Sequence, residues 1–232
     1  PPILFLHGNL SRWEHWMPQL AALADRFRCV AFDQRGYGGS SPLLGTSLST
    51  MADDTAALCA ALGIARAYVV GLSMGGGVAE VLALRHPGLV AGLVLAAPPP
   101  LVVSAARPGL GVDDLRPMLE VSFGPEMWRA RPDLAARLIA DCLATDLDTV
   151  RQFATADLAG YDPARIAAPT LVIAGECDVL SPPPPLRSLA ATIPAAEYLE
   201  FAGSGHWLNV EAEAAFTAAI LRLVAAHPLA AG

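Results

Sequence analysis

The stretch VVGLSMGGG, residues 69 to 77, closes an apolar run with a serine set among glycines. Glycine weakens strands and helix starts, so crowding it around Ser73 has to serve some purpose. Gly71, Ser73 and Gly75 fit the pattern G-x-S-x-G, with strand-like residues before and helix-like residues after. That setting predicts a sharp strand-to-helix turn. The positions two residues away on either side must be small, because strand and helix crowd each other there. Such a turn stands the serine hydroxyl at the end of a sheet. It also aims the backbone N–H of Met74, at the helix start, toward developing negative charge. The chemistry implied is nucleophilic attack on a carbonyl.

A serine hydroxyl is a weak nucleophile until a base takes its proton, and the base needs a carboxylate to orient it. The chain has five histidines. His86 ends a helical segment before Pro87, His227 lies in the C-terminal tail, and His15 lies in the first helix. His7 follows a strand directly and is expected to shape the loop after it. His206, in FAGSGHWLNVE, sits on a glycine-rich loop between the last strand and the last helix, where it can reach the strand ends. The candidate acids are Glu176 and Asp178 in VIAGECDVLSP, both just after a strand. The order serine, acid, histidine belongs to one hydrolase superfamily and differs from the chymotrypsin-like and subtilisin-like orders. His7, Gly8 and Asn9 follow the first strand, so the backbone N–H of Asn9 is the expected second oxyanion donor beside Met74.

These residues need a scaffold that brings strand ends together. Short apolar runs at 3–6, 28–32, 67–71, 92–97, 170–175 and 197–201 alternate with helical segments near 11–25, 51–62, 74–86, 186–193 and 210–226. Continuous apolar runs of this length predict parallel strands covered on both faces, hence a mostly parallel, doubly wound α/β sheet. Thr50 is the expected N-cap of the second helix, whose inner face is read as Met51, Thr55, Leu58 and Leu62. The alternation breaks between about 101 and 160, where the pattern is helical. The division expected is a core over 1–100 and 161–232, with a helical lid over 101–160. SPPPP (181–185) is read as a stiff extended loop.

Composition narrows the classes. With 54% hydrophobic and 16% charged residues, the chain is expected to fold rather than remain disordered. A formal net charge of −7 argues against nucleic acid or an anionic membrane as partner. The uncharged run from Pro87 to Ala106 contains Pro98, Pro99 and Pro100, which would break a spanning helix, so a buried strand and loop is expected there. Four scattered cysteines show no metal-binding spacing, and Cys177 is expected to be a small buried filler. A reduced, cytoplasmic protein without metal or organic cofactor is the expectation.

HGN (7–9), DQRGYGGS (33–40), GLSMGG (71–76), GECD (175–178) and GSGHWLNVE (203–211) occur in this order, and through them the chain resembles the α/β-hydrolase superfamily over nearly its whole length. The resemblance implies Asp178, three residues after Gly175, as the orienting acid, completing a set of Ser73, Asp178 and His206. It implies that DQRGYGGS is a structural turn in which Asp33 and Arg35 tie loops together and Gly36 and Gly38 allow the bend. It also implies two further strands before HG; the sequence opens already inside a strand. The branch it most resembles is that of small-lidded esterases and lactonases, including the 3-oxoadipate enol-lactonases. That implies hydrolysis of a small ester or lactone through an acyl-enzyme, with Trp207, Met74, Phe123, Met127 and Trp128 as substrate walls. Serine-type perhydrolases share SMGGG and C–C bond hydrolases share a GHW-like loop, so both chemistries stand as alternatives, with a slow-turnover receptor behind them. Haloalkane dehalogenases share HGN but use an aspartate where this chain has Ser73.

Overall fold

In the computed structural model, which describes residues 1–41, 47–99, 111–146 and 161–229, six strands form one sheet in the order β2-β1-β3-β4-β5-β6, and every pairing is parallel. The strands are β1 (Pro2–Leu6), β2 (Arg28–Ala31), β3 (Ala67–Leu72), β4 (Val90–Ala96), β5 (Thr170–Gly175) and β6 (Ala196–Phe201). Burial follows position in the sheet. The inner strands β3, β4 and β5 are buried at every residue, whereas the edge strands β2 and β6 are only partly covered.

Within a buried strand, alternate residues feed two separate cores, as the two-residue side-chain period requires. Leu4, Leu6 and Val69 enter one face, packed against α2 (Leu48–Ala61), α3 (Met74–Arg85) and α7 (Pro183–Thr192). Ile3, Phe5, Tyr68 and Val70 enter the other, packed against α1 (Met17–Leu23), α8 (Leu208–Glu211) and α9 (Glu213–Ala226). Each large apolar side chain so buried contributes about 1.5–3 kcal/mol of transfer free energy.

Chain order reverses at the β1–β3 pair: β2 lies on one side of β1 and β3 on the other. Open parallel sheets bind ligands beyond the carboxyl ends of strands at such a reversal. The loops after β1 and β3 carry His7–Asn9 and Ser73. Between β4 and β5 the helices α4 (Val112–Val121), α5 (Pro125–Ala130) and α6 (Pro132–Leu143) build a third apolar cluster that also includes Leu10, Trp207 and Val210. The rest of the 101–160 segment, including the expected helical stretch 146–160, lies almost wholly outside the described residues.

Four local expectations need correction. The N-cap of α2 is Ser47, whose Oγ accepts the Thr50 N–H at 3.1 Å; Thr50 lies inside the first turn because the buried Leu48 already begins the helix. The inner face of that helix holds Met51, Thr55 and Cys59, while Leu62 is 37% exposed. The prolines of SPPPP do not form an extended loop: Pro183, Pro184 and Pro185 occupy the first turn of α7, where a missing N–H costs nothing. Cys177 is half-buried, and its amide donates to Ser204 O at 2.8 Å. Among the described residues no helix is long and apolar enough to cross a membrane.

Candidate active site

Ser73 occupies φ 53°, ψ −122° between the end of β3 and the start of α3. A non-glycine residue in this sparsely populated region stores roughly 1–3 kcal/mol, held by what surrounds it. Strand pairing and helix capping do the holding: Ser73 N–H donates to Ala96 O at 2.8 Å, and Ser73 O accepts from Gly76 N at 2.8 Å. The flanking glycines are steric necessities. A Cβ on Gly71 would run into the Gly75 carbonyl, and one on Gly75 into the Leu6 carbonyl. As at any helix N-terminus, the first-turn amide of Met74 has no intrahelical acceptor.

The loop after β1 lies directly against the serine: a Cβ on Gly8 would be 3.2 Å from Ser73 Cβ. Leu10, at φ 59°, is also in the left-handed region, and its N–H donates to Asn9 Oδ1 at 2.9 Å. Tyr37 Oη donates to the same oxygen at 2.6 Å, so the Asn9 carboxamide is committed to the loop. His7 serves the loop as expected. Gln34 N–H donates to its Nε2 at 2.9 Å, and its Nδ1–H donates to Gly8 O at 2.8 Å. Burial keeps that imidazole neutral, with a pKa near 4, despite the bond to Gly8 and nearby Asp33. Asp33 ties the turn by accepting Trp13 N–H and Gly39 N–H, each at 3.0 Å. Arg35 pairs with Asp54 through two bonds of 2.6 and 2.7 Å. Gly36 and Gly38 take positive φ.

On the other side, the Nδ1–H of His206 donates to Asp178 Oδ2 at 2.8 Å. Asp178 Oδ1 accepts the amides of Leu180 and Ser181 at 2.8 and 2.9 Å. Burial works against this carboxylate, yet the bond and charge of His206 and the two amides hold its pKa below the ordinary value. Glu176 is exposed and caps Gly203 N–H instead, at 2.8 Å. Ser73, His206, Trp207, Gly8 and Asn9 open together on one small space.

The expected substrate walls separate. Trp207 lines this space, and Phe123 stacks behind it with centroids 5.6 Å apart. Met127 is buried among the helices α4–α6, where Trp128 packs edge-on to Phe123. The Met74 side chain is buried in the core beneath Tyr37. Among the described residues no group of three or more His, Cys, Asp or Glu side chains is placed to hold a metal ion.

Two polar features escaped the sequence reading. The Glu211 carboxylate accepts backbone N–H groups from Gly124 (2.7 Å), Gly205 (2.9 Å) and Trp207 (2.9 Å), joining the α4–α5 junction to both sides of His206. His206 N–H completes the junction by donating to Ser122 O at 2.7 Å. The second is a buried pair, Ser11 and His15, beside the same space. A lone glutamate closing a four-residue helix and a serine in a loop carry no spacing signal that distinguishes them from solvated residues.

The fold and sequence have known relatives. The family profile described as alpha/beta hydrolase fold matches residues 1–116. A Mycobacterium tuberculosis protein provisionally named non-heme bromoperoxidase BpoC is 32% identical over 97% of this chain and 94% of its own. Among solved structures, the enol-lactonase from Burkholderia xenovorans LB400 superposes with TM-score 0.86 at 28% identity, covering 97% of this chain and 91% of that one. A thermophilic esterase from Thermogutta terrifontis superposes with TM-score 0.84 at 28% identity, covering 97% and 90%. The chain belongs to the α/β-hydrolase family.

Proposed function

We propose that this protein is a serine hydrolase that cleaves a small carboxylic ester or lactone through an acyl-enzyme on Ser73. The observation that carries this reading is a serine on a strained turn opening onto the same space as a histidine whose other nitrogen is held by a buried carboxylate. His206 Nε2 takes the Ser73 proton as Oγ attacks the carbonyl carbon. The amides of Asn9 and Met74 receive the oxyanion. The tetrahedral intermediate collapses, and the alcohol leaves with the proton from His206. Water then attacks the acyl carbon, gives its proton to His206, and releases the acid as Ser73 regains its hydrogen. Asp178 keeps the ring oriented and stabilises its protonated form.

In this reading the helices α4–α6 serve as a lid over the site, a role supported by the cluster that they share with Trp207. The apolar character of that cluster favours a small, fairly hydrophobic acyl group. The likeness to BpoC favours one second reading, perhydrolysis, in which hydrogen peroxide replaces water at the acyl-enzyme and releases a peracid. A panel of esters and lactones with mass detection of products, run with and without peroxide, separates the two. Labelling by a fluorophosphonate in the wild type and its loss in Ser73→Ala are expected. An unlabelled wild type with no product from any ester or lactone would overturn the proposal.

A further inference from the structure

Ser11 lines the same space as Ser73 and is 3% exposed. Its Oγ lies 2.7 Å from Nδ1 of His15, itself buried. The far nitrogen of that ring, Nε2, faces Asp141 Oδ2 at 3.8 Å, and among the described residues no hydrogen-bond partner takes it. Asp141 belongs to α6 and is fixed by Arg12, whose Nη2 is 2.6 Å from its other oxygen. The His15 ring also meets the Trp207 ring edge-on, with centroids 5.5 Å apart.

The tautomer follows from these neighbours. Burial keeps the imidazole neutral and pushes its pKa to about 4, against the pull of Asp141. A neutral ring beside a carboxylate places its single hydrogen on the nitrogen facing that carboxylate, because a lone pair there would be repelled. Nε2 therefore carries the hydrogen and Nδ1 is the acceptor. Ser11 must donate its only hydrogen to His15, so its oxygen offers the pocket lone pairs alone.

We infer that Ser11 is a specificity residue that accepts a hydrogen bond from the substrate, selecting acyl groups that carry a hydroxyl or amide N–H near the reacting carbonyl. This inference rests on the proposed esterase reading of the same site. Ser11 and Ser73 line the same small space, and in this inference the carbons next to the reacting carbonyl lie beside Ser11. A keto oxygen at that place meets lone pairs and is disfavoured; an alkyl chain offers those lone pairs no donor.

The test compares nitrophenyl esters of butanoate, β-hydroxybutanoate and β-oxobutanoate. The wild type should favour the β-hydroxy ester over the plain one by about tenfold in kcat/KM, the worth of one neutral hydrogen bond. Ser11→Ala should bring that ratio near one while plain butanoate is still hydrolysed. His15→Phe keeps a ring against Trp207 but removes the acceptor, freeing the Ser11 hydrogen, and should raise the β-oxo ester relative to the others. An unchanged ratio in Ser11→Ala, or a wild type that favours the β-oxo ester, overturns the inference. If no ester is hydrolysed, the esterase reading fails, and titrating tryptophan fluorescence with the three free acids still decides the role of Ser11. Tighter binding of the β-hydroxy acid, lost in Ser11→Ala, supports it, and equal binding of all three overturns it.

Discussion

Asp178 grips His206 through one carboxylate oxygen, Oδ2 at 2.8 Å from Nδ1, while its other oxygen accepts the amides of Leu180 and Ser181. Both oxygens are thus committed, and the plane of the carboxylate fixes the plane of the ring. Asp178→Asn would present an amide that can turn its NH₂ toward the ring and favour the wrong tautomer. We expect kcat on a good ester to fall by about 10³–10⁴ with the fold retained. Glu176→Gln, which loses only an exposed cap on Gly203, should stay within about threefold of wild type. Steady-state kinetics beside circular dichroism checks both.

The glycines around the serine differ sharply in what they can accept. Gly75→Ala drives a methyl into the Leu6 carbonyl, and rigid backbone offers no relief. It should abolish folding or lower stability by at least about 3 kcal/mol. Gly88→Ala meets no described residue within 4 Å and should change stability by no more than about 0.5 kcal/mol. Urea denaturation of the two variants measures the contrast.

Glu80 is fully buried in α3 and accepts a hydrogen bond from Tyr161 Oη, while its Oε1 has no partner among the described residues. Burial raises its pKa to about 8, against the bond from Tyr161. The folded state therefore holds this proton more tightly than the unfolded chain, whose carboxyl titrates near 4.5. Its contribution to stability is complete below about pH 4.5 and is lost as pH rises through about 8. Glu80→Gln removes this dependence. Across that window the variant should gain on wild type by a few kcal/mol, on the order of 1.4 kcal/mol per pH unit at most. Denaturation at a series of pH values reads the difference; parallel curves would refute it.

The Glu211 clamp joins the helices between β4 and β5 to the histidine loop through three backbone donors. Burial raises its pKa, and those amides partly offset the rise. Glu211→Ala strands three N–H groups. It should cost at least about 3 kcal/mol, given 1–3 kcal/mol for each buried polar group left unpaired. Hydrogen exchange at Gly124, Gly205 and Trp207 should accelerate together. Independent behaviour of the two segments would show that the carboxylate does not couple them.

The legible parts of this molecule were those where geometry leaves few choices of residue. The glycines at 71 and 75 were readable because only hydrogen fits between strand and helix there. The inner strands β3, β4 and β5 were readable because burial on two faces demands unbroken apolar runs. The sequence left Glu176 and Asp178 both open as partners of His206, and the resemblance selected the residue that makes the contact. Starts of helices were less legible. Ser47 and Thr50 are both good caps, and the burial of Leu48 decides between them. Ser11, His15 and Asp141 gave no signal, because only the tertiary fold brings α6 beside the loop after β1.

The central claim is that Ser73 carries the acyl group between two half-reactions. Rapid-quench mass spectrometry of the protein during turnover of a chromogenic ester, with peptide mapping, tests it directly. The predicted result is a transient mass increase of one acyl group on the peptide containing Ser73, absent in Ser73→Ala and slow to decay in Asp178→Asn. Turnover by the wild type with no acylated intermediate, or with the acyl group on another residue, would contradict it.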